Sequence, residues 1–104
     1  MKIITKNSIK RECWNLDNEL IKWLNEHLKV YLKNAGKNID LTFHTFWIDD
    51  KQVTQEQAIE RLVEITNYLK NHNFNWTIDD AKNMILLKDE MYNILKEIHF
   101  SLWW

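Results

Sequence analysis

Between Leu41 and Ile48 apolar and polar side chains alternate, with Leu41, Phe43, Thr45 and Trp47 on one side and Thr42, His44, Phe46 and Ile48 on the other. That period of two predicts a pleated strand. Both sides carry large apolar groups, so the strand is expected to be covered twice or paired with something that shields it. Its candidate partners are Lys2–Lys6, the short return Lys51–Val53, the C-terminal tail, or the same strand of a second copy. Asp49-Asp50-Lys51 turns the chain, and Thr54 follows as a helix N-cap. Gln57, three residues on, completes a capping box, and Val53 can staple onto Ala58.

Beyond Thr54 the period changes to that of a helix, over about Gln55–Asn71. Ala58, Ile59, Leu62, Val63, Ile65, Thr66 and Leu69 fall on one side, and Glu56, Glu60, Glu64 and Asn67 on the other. An earlier helix begins between Ile9 and Asp17 and ends at Ala35, where Gly36 suits a left-handed C-cap. Projected at about 100° per residue, its apolar arc runs from Leu16, Leu20 and Ile21 through Trp23, Leu24, His27 and Leu28 to Val30, Tyr31 and Leu32. Asn18, Glu19, Lys22, Asn25, Glu26, Lys29 and Lys33 make the polar arc. The apolar arc exceeds what a surface helix needs, which predicts contact with a second layer or another chain.

A third helix is expected from Ile78 to Phe100 or beyond. Thr77 is its N-cap, Asp79 and Asp80 sit at its positive end, and Met84, Leu87, Met91, Leu95, Ile98 and Leu102 form its stripe. Leu86, Phe100 and Trp104 do not fit that stripe. Either the helix continues and exposes Phe100 and Trp104, or the chain leaves it near His99 and Phe100, Leu102 and Trp104 alternate as a terminal strand. The stretch before about Ser8 reads as a short strand or extended arm. Together these elements predict an α+β fold over residues 1–104, a single compact domain with three main helices packed on a small antiparallel sheet or hairpin centred on residues 41–53.

Composition narrows the function. The chain has 104 residues, 45% hydrophobic and 28% charged, and a net charge of −1. It is large enough to bury a core without staples. Its dispersed charge lacks the footprint of a general nucleic-acid binder. The only basic cluster is Lys6, Lys10 and Arg11, on which an alternative reading as a nucleic-acid-binding protein rests. One cysteine, Cys13, forbids an intrachain disulfide and fits a reducing, cytoplasmic setting. The opening residues lack the apolar run of a signal peptide, and no stretch approaches the roughly 20 apolar residues of a membrane span.

Chemistry-bearing motifs are missing. A single Gly makes a phosphate-cradling loop hard to build, and no metal-binding, nucleophile-elbow or Cys-x-x-Cys pattern occurs. His27, His44, His72 and His99 have no ligand spacing; His27 reads as a hydrogen-bonded core residue, with His27–His44 the one pair that folding could turn to catalysis or metal binding. The Asp49-Asp50 and Asp79-Asp80 pairs read as turn and cap residues. The chain is therefore expected to be no enzyme and to need no cofactor.

Six tryptophans, Trp14, Trp23, Trp47, Trp76, Trp103 and Trp104, are the unusual feature. A small domain cannot readily bury six indoles and satisfy each N–H, so some should reach the surface, where Trp is a common interface anchor. Phe74, Trp76, Phe100, Trp103 and Trp104 are the candidate partner-binding residues. The Asn-, Lys- and Ile-rich vocabulary without Pro suggests an AT-rich bacterium or its phage. The expected role is a protein-binding module acting on a larger protein, such as an inhibitor, an accessory factor or an anti-defence protein, with homodimerisation as a second expectation.

Overall fold

A computed structural model describes residues 16–73, 75 and 77–103. The arm or strand expected before Ser8, the basic cluster Lys6, Lys10 and Arg11, and the candidates Phe74, Trp76 and Trp104 lie outside these residues. The described elements run α1 (Leu16–Ala35), β1 (Thr45–Ile48), β2 (Lys51–Thr54), α2 (Gln55–Asn71) and α3 (Ile78–Ile98), with a closing 3₁₀ turn over His99–Ser101. Three helices thus pack against a small two-stranded antiparallel sheet, an α+β arrangement.

Local signals account for the helix ends. Thr54 Oγ1 accepts from Gln57 N, and Gln57 Oε1 accepts from Thr54 N, closing both halves of the capping box. Thr77 Oγ1 accepts from Asp80 N in the same way at α3. Gly36 does follow α1, but its φ is not positive. A glycine is used there for space instead of handedness: a Cβ would sit 3.2 Å from the Leu32 carbonyl oxygen.

The strand is shorter than alternation alone implies, and it pairs with the Lys51–Thr54 return. Asp40 is the reason for the late start. Its carboxylate accepts from Thr42 N at 2.9 Å and from the Thr42 hydroxyl, and Phe43 N bonds the Asp40 carbonyl, so residues 41–43 curl into a turn. Leu41 nevertheless points inward, and its carbonyl accepts from Glu56 N. The hairpin closes through Asp49 and Asp50 at φ 51° and 63°. Positive φ at both loop residues is the signature of a type I′ turn, whose twist matches that of the strands. Asn93 Nδ2 ties Asp49 Oδ1 back to α3 at 2.9 Å.

Phe46 and Ile48 face the core, whereas the opposite face, with Trp47 68% exposed beside Thr45 and Gln52, is open. The strand is therefore covered on one side only. One helix layer backs the hairpin in a molecule 18 Å through its short axis, leaving nothing among the described residues to cover the second side.

The core gathers Ile21 and Leu28 of α1, Ile48 of β1, Ala58, Ile59, Leu62, Ile65 and Leu69 of α2, and Met91, Ile94 and Ile98 of α3. The apolar side assigned to α2 is the side it buries. The polar arc of α1 is corrected at Asn25, which is fully buried. It lies in the row Ile21, Asn25, Leu28, Leu32 and Ala35 that faces α2, and its amide is satisfied there. Asn25 Nδ2 donates to Thr66 Oγ1 at 3.0 Å and to the Val63 carbonyl at 3.2 Å, while Thr66 Oγ1 donates to the Leu62 carbonyl.

α2 and α3 are joined by a polar clasp. His72 Nε2 lies 2.7 Å from Asp80 Oδ1, Asn75 N donates to Asp80 Oδ2, and the Tyr68 ring stacks on His72. The Asp80 carboxyl is held below its ordinary pKa, chiefly by His72 and then by the Asn75 amide. A carboxyl depressed in the folded state contributes stability above its unfolded pKa and loses it as pH falls through the folded value. Asp80→Asn should therefore melt earlier than the wild type at neutral pH. The gap in melting temperature should close in acid; a constant gap across pH would remove the carboxylate's role.

Candidate functional site

The exposed candidates centre on the chain's last turn, which is built from behind. At the end of α3, the Leu102 amide bonds the His99 carbonyl and Trp103 N bonds the Ser101 carbonyl. A continuing helix would leave these carbonyls to later residues; the 3₁₀ turn satisfies them locally. Leu102 then turns onto the core, while Phe100 is 93% exposed and Trp103 64% exposed. The chain leaves α3 at His99, as the second expected course places it, but the described residues beyond form a 3₁₀ turn and not a strand.

Two side chains from distant elements hold the turn. Buried Gln55, the first residue of α2, donates from Nε2 to the Ser101 carbonyl at 2.8 Å and to Tyr31 Oη at 3.3 Å. Tyr31 of α1 donates its hydroxyl to the Trp103 carbonyl at 2.8 Å. Burial pushes the Tyr31 pKa up, partly offset by these bonds, so the phenol stays a proton donor at neutral pH. The Gln55 backbone amide is itself fixed by the His44 carbonyl.

Concave surfaces flank this anchored turn. On the α1 side is a groove of about 490 Å³ lined by Trp23, Leu24, His27, Val30, Tyr31 and Leu102. On the other side is a hollow of about 370 Å³ that includes Phe43, His44, Gln55 and Trp103. Phe100 and Trp103 thus stand on one short turn between an apolar groove and a hollow of mixed lining that also holds Asp40 and Ser101. Trp23, Val30 and Phe43 join them as exposed apolar groups that sequence reasoning had not singled out. The signal that could have found Trp23 and Val30 was the excess width of the α1 arc.

Polar chemistry is sparse around the turn. His27 is exposed, not a core residue; it stacks on Trp23 with centroids 3.9 Å apart, and its Nδ1 lies 2.7 Å from the Trp23 carbonyl oxygen. The extreme position of Trp23 on the arc carries its i+4 neighbour out with it. His44 meets the edge of Phe43, so the two imidazoles line different hollows instead of converging. Among the described residues no group of three or more His, Cys, Asp or Glu could hold a metal, and no helix is long and apolar enough to cross a membrane.

A third hollow, beside the hairpin, contains a two-point charge pair. Arg61 grips Glu90 through two bonds, one of them 2.9 Å, and reaches Glu64 at 2.8 Å. The guanidinium holds the Glu90 carboxyl below its ordinary pKa. Arg61 is spent on its own acids and ties α2 to α3. No family model matches the chain, and neither curated proteins nor solved structures include a match to it.

Proposed function

We propose that this chain is a small non-catalytic protein-binding module, an inhibitor or accessory factor that acts by seating its C-terminal turn against a larger protein. The carrying observation is that Phe100 and Trp103 are presented to solvent on a turn fixed from behind by Gln55 and Tyr31. Exposed aromatics on a rigid mount suit interface anchoring, because the backbone entropy of the contact is already lost before binding. The groove on the α1 side offers a recess for apolar groups of a partner. Composition favours a phage or mobile-element origin, and with it a target in host defence.

Neither Phe100 nor Trp103 is a core residue, so replacing both with alanine should leave thermal unfolding almost unchanged. A pull-down from a bacterial lysate should show proteins retained by the wild type and lost with the Phe100→Ala/Trp103→Ala variant. Equal retention by the two would sink this assignment of the surface, and a large drop in melting temperature would return the two aromatics to a folding role. Nucleic-acid binding would show instead as affinity falling steeply with salt.

A further inference from the structure

The row that α1 buries against α2 is accompanied by a second row of the same spacing that it leaves bare. Leu16, Leu20, Trp23, His27 and Val30 recur at intervals of 4, 3, 4 and 3 residues, the spacing of a coiled-coil seam, and Asn34 continues it. Leu16, Leu20, Trp23, His27 and Val30 are all exposed, Trp23 by 55%. A helix that already fills one seam with Ile21, Asn25, Leu28, Leu32 and Ala35 therefore presents another to solvent.

We infer that this stripe is a homodimer interface, in which α1 packs antiparallel against α1 of a second copy about a two-fold axis. The charges beside the stripe select this occupant. Glu19 and Lys33 flank it on one edge, 14 residues and so about 21 Å apart, with Glu26 between them. In an antiparallel pair, layers form where Leu20 meets Val30 of the second copy, Trp23 meets His27, and Leu16 meets Asn34. That register sets Glu19 of each copy against Lys33 of the other, giving two opposite-charge pairs related by the axis. A parallel arrangement would instead bring Glu19 and Glu26 beside Leu24 and Tyr31, with no charge partner. The stripe is thus self-complementary in the way a two-fold interface requires. At its centre the stacked Trp23–His27 pairs of the two copies form one aromatic layer. Glu26 faces its own counterpart near the axis, an opposing element that moderates affinity. This interface shares Trp23, His27 and Val30 with the groove beside the Phe100–Trp103 turn, so a second copy seated here fills that recess.

Sedimentation or light scattering from micromolar to millimolar concentration tests it on the full chain. Wild-type protein should pass from the 12.8 kDa chain mass to twice that value. Lys33→Glu and Glu19→Lys, each alone, turn two attractions into two repulsions and should weaken self-association roughly tenfold. Mixed together, these two variants restore both opposite-charge pairs and should associate as a heterodimer. Glu26→Gln should tighten the dimer, and Trp23→Ala should abolish it. The charge variants alter side chains outside the core, and unchanged melting of the dilute proteins checks that the fold is kept. A wild type that stays at the mass of one chain at millimolar concentration would overturn the inference. So would a mixture of Glu19→Lys and Lys33→Glu that associates no better than either alone.

Discussion

Truncating Leu62 to alanine is expected to lower the unfolding free energy by about 3 kcal/mol or more, read as a fall in denaturation midpoint at unchanged slope. Leu62 is fully buried in the middle of α2, in the cluster that joins α1, α3 and the hairpin. Removing its branched end forfeits the transfer free energy of the buried methyls and leaves a void that helices fixed by caps at both α2 and α3 can close only in part. Against the roughly 5–15 kcal/mol that holds a domain of this size together, that is a large fraction. A loss below about 1 kcal/mol would mean that the three layers slide to fill the space, and that the core is less tightly packed than its burial indicates.

Asn25→Asp is the second large effect, about 2–3 kcal/mol at neutral pH from a change of almost no volume. The Asn25 amide nitrogen donates to Thr66 Oγ1 and to the Val63 carbonyl. An aspartate in its place sets a carboxylate oxygen against a carbonyl oxygen in a site without solvent. Lys70 Nζ, 3.5 Å from Asn25 Oδ1, offsets part of that cost. Burial raises the pKa of the introduced carboxyl in the folded state, so its penalty is absent below the unfolded pKa. The penalty then grows as pH rises and is complete above the folded pKa. Unfolding curves of wild type and variant should accordingly converge in acid and separate toward neutrality; a pH-independent difference would mean the lysine neutralises the charge completely.

These two residues differ in how far they could be read from the chain. Leu62 lies at the centre of a seven-position apolar side on α2 that periodicity identifies without help. Asn25 sits 100° or less from polar and apolar neighbours alike, and only the arrival of Thr66 and Val63 from a segment some 40 residues away makes its burial favourable. The candidate surface divides in the same way. That Phe100 breaks the stripe of α3 is visible in the spacing, and it is the most exposed large hydrophobic group among the described residues. The mount behind it, Gln55 and Tyr31 converging on the carbonyls of residues 101 and 103, joins three segments with no local signature.

The starts of α2 and α3 were set by the sequence itself, because an N-cap is a hydrogen bond between residues three apart, and Thr54, Gln57 and Thr77 carry it wherever the helix is placed. The hairpin loop at Asp49-Asp50 was equally local. Tertiary structure alone decided which apolar faces were covered. Periodicity tells which side chains share a face, not which other element lands on it, and coverage depends on contacts between segments far apart in the chain. For that reason Trp47 and the bare stripe of α1 emerged on the surface although their spacing matches that of buried rows, while Asn25 went inside.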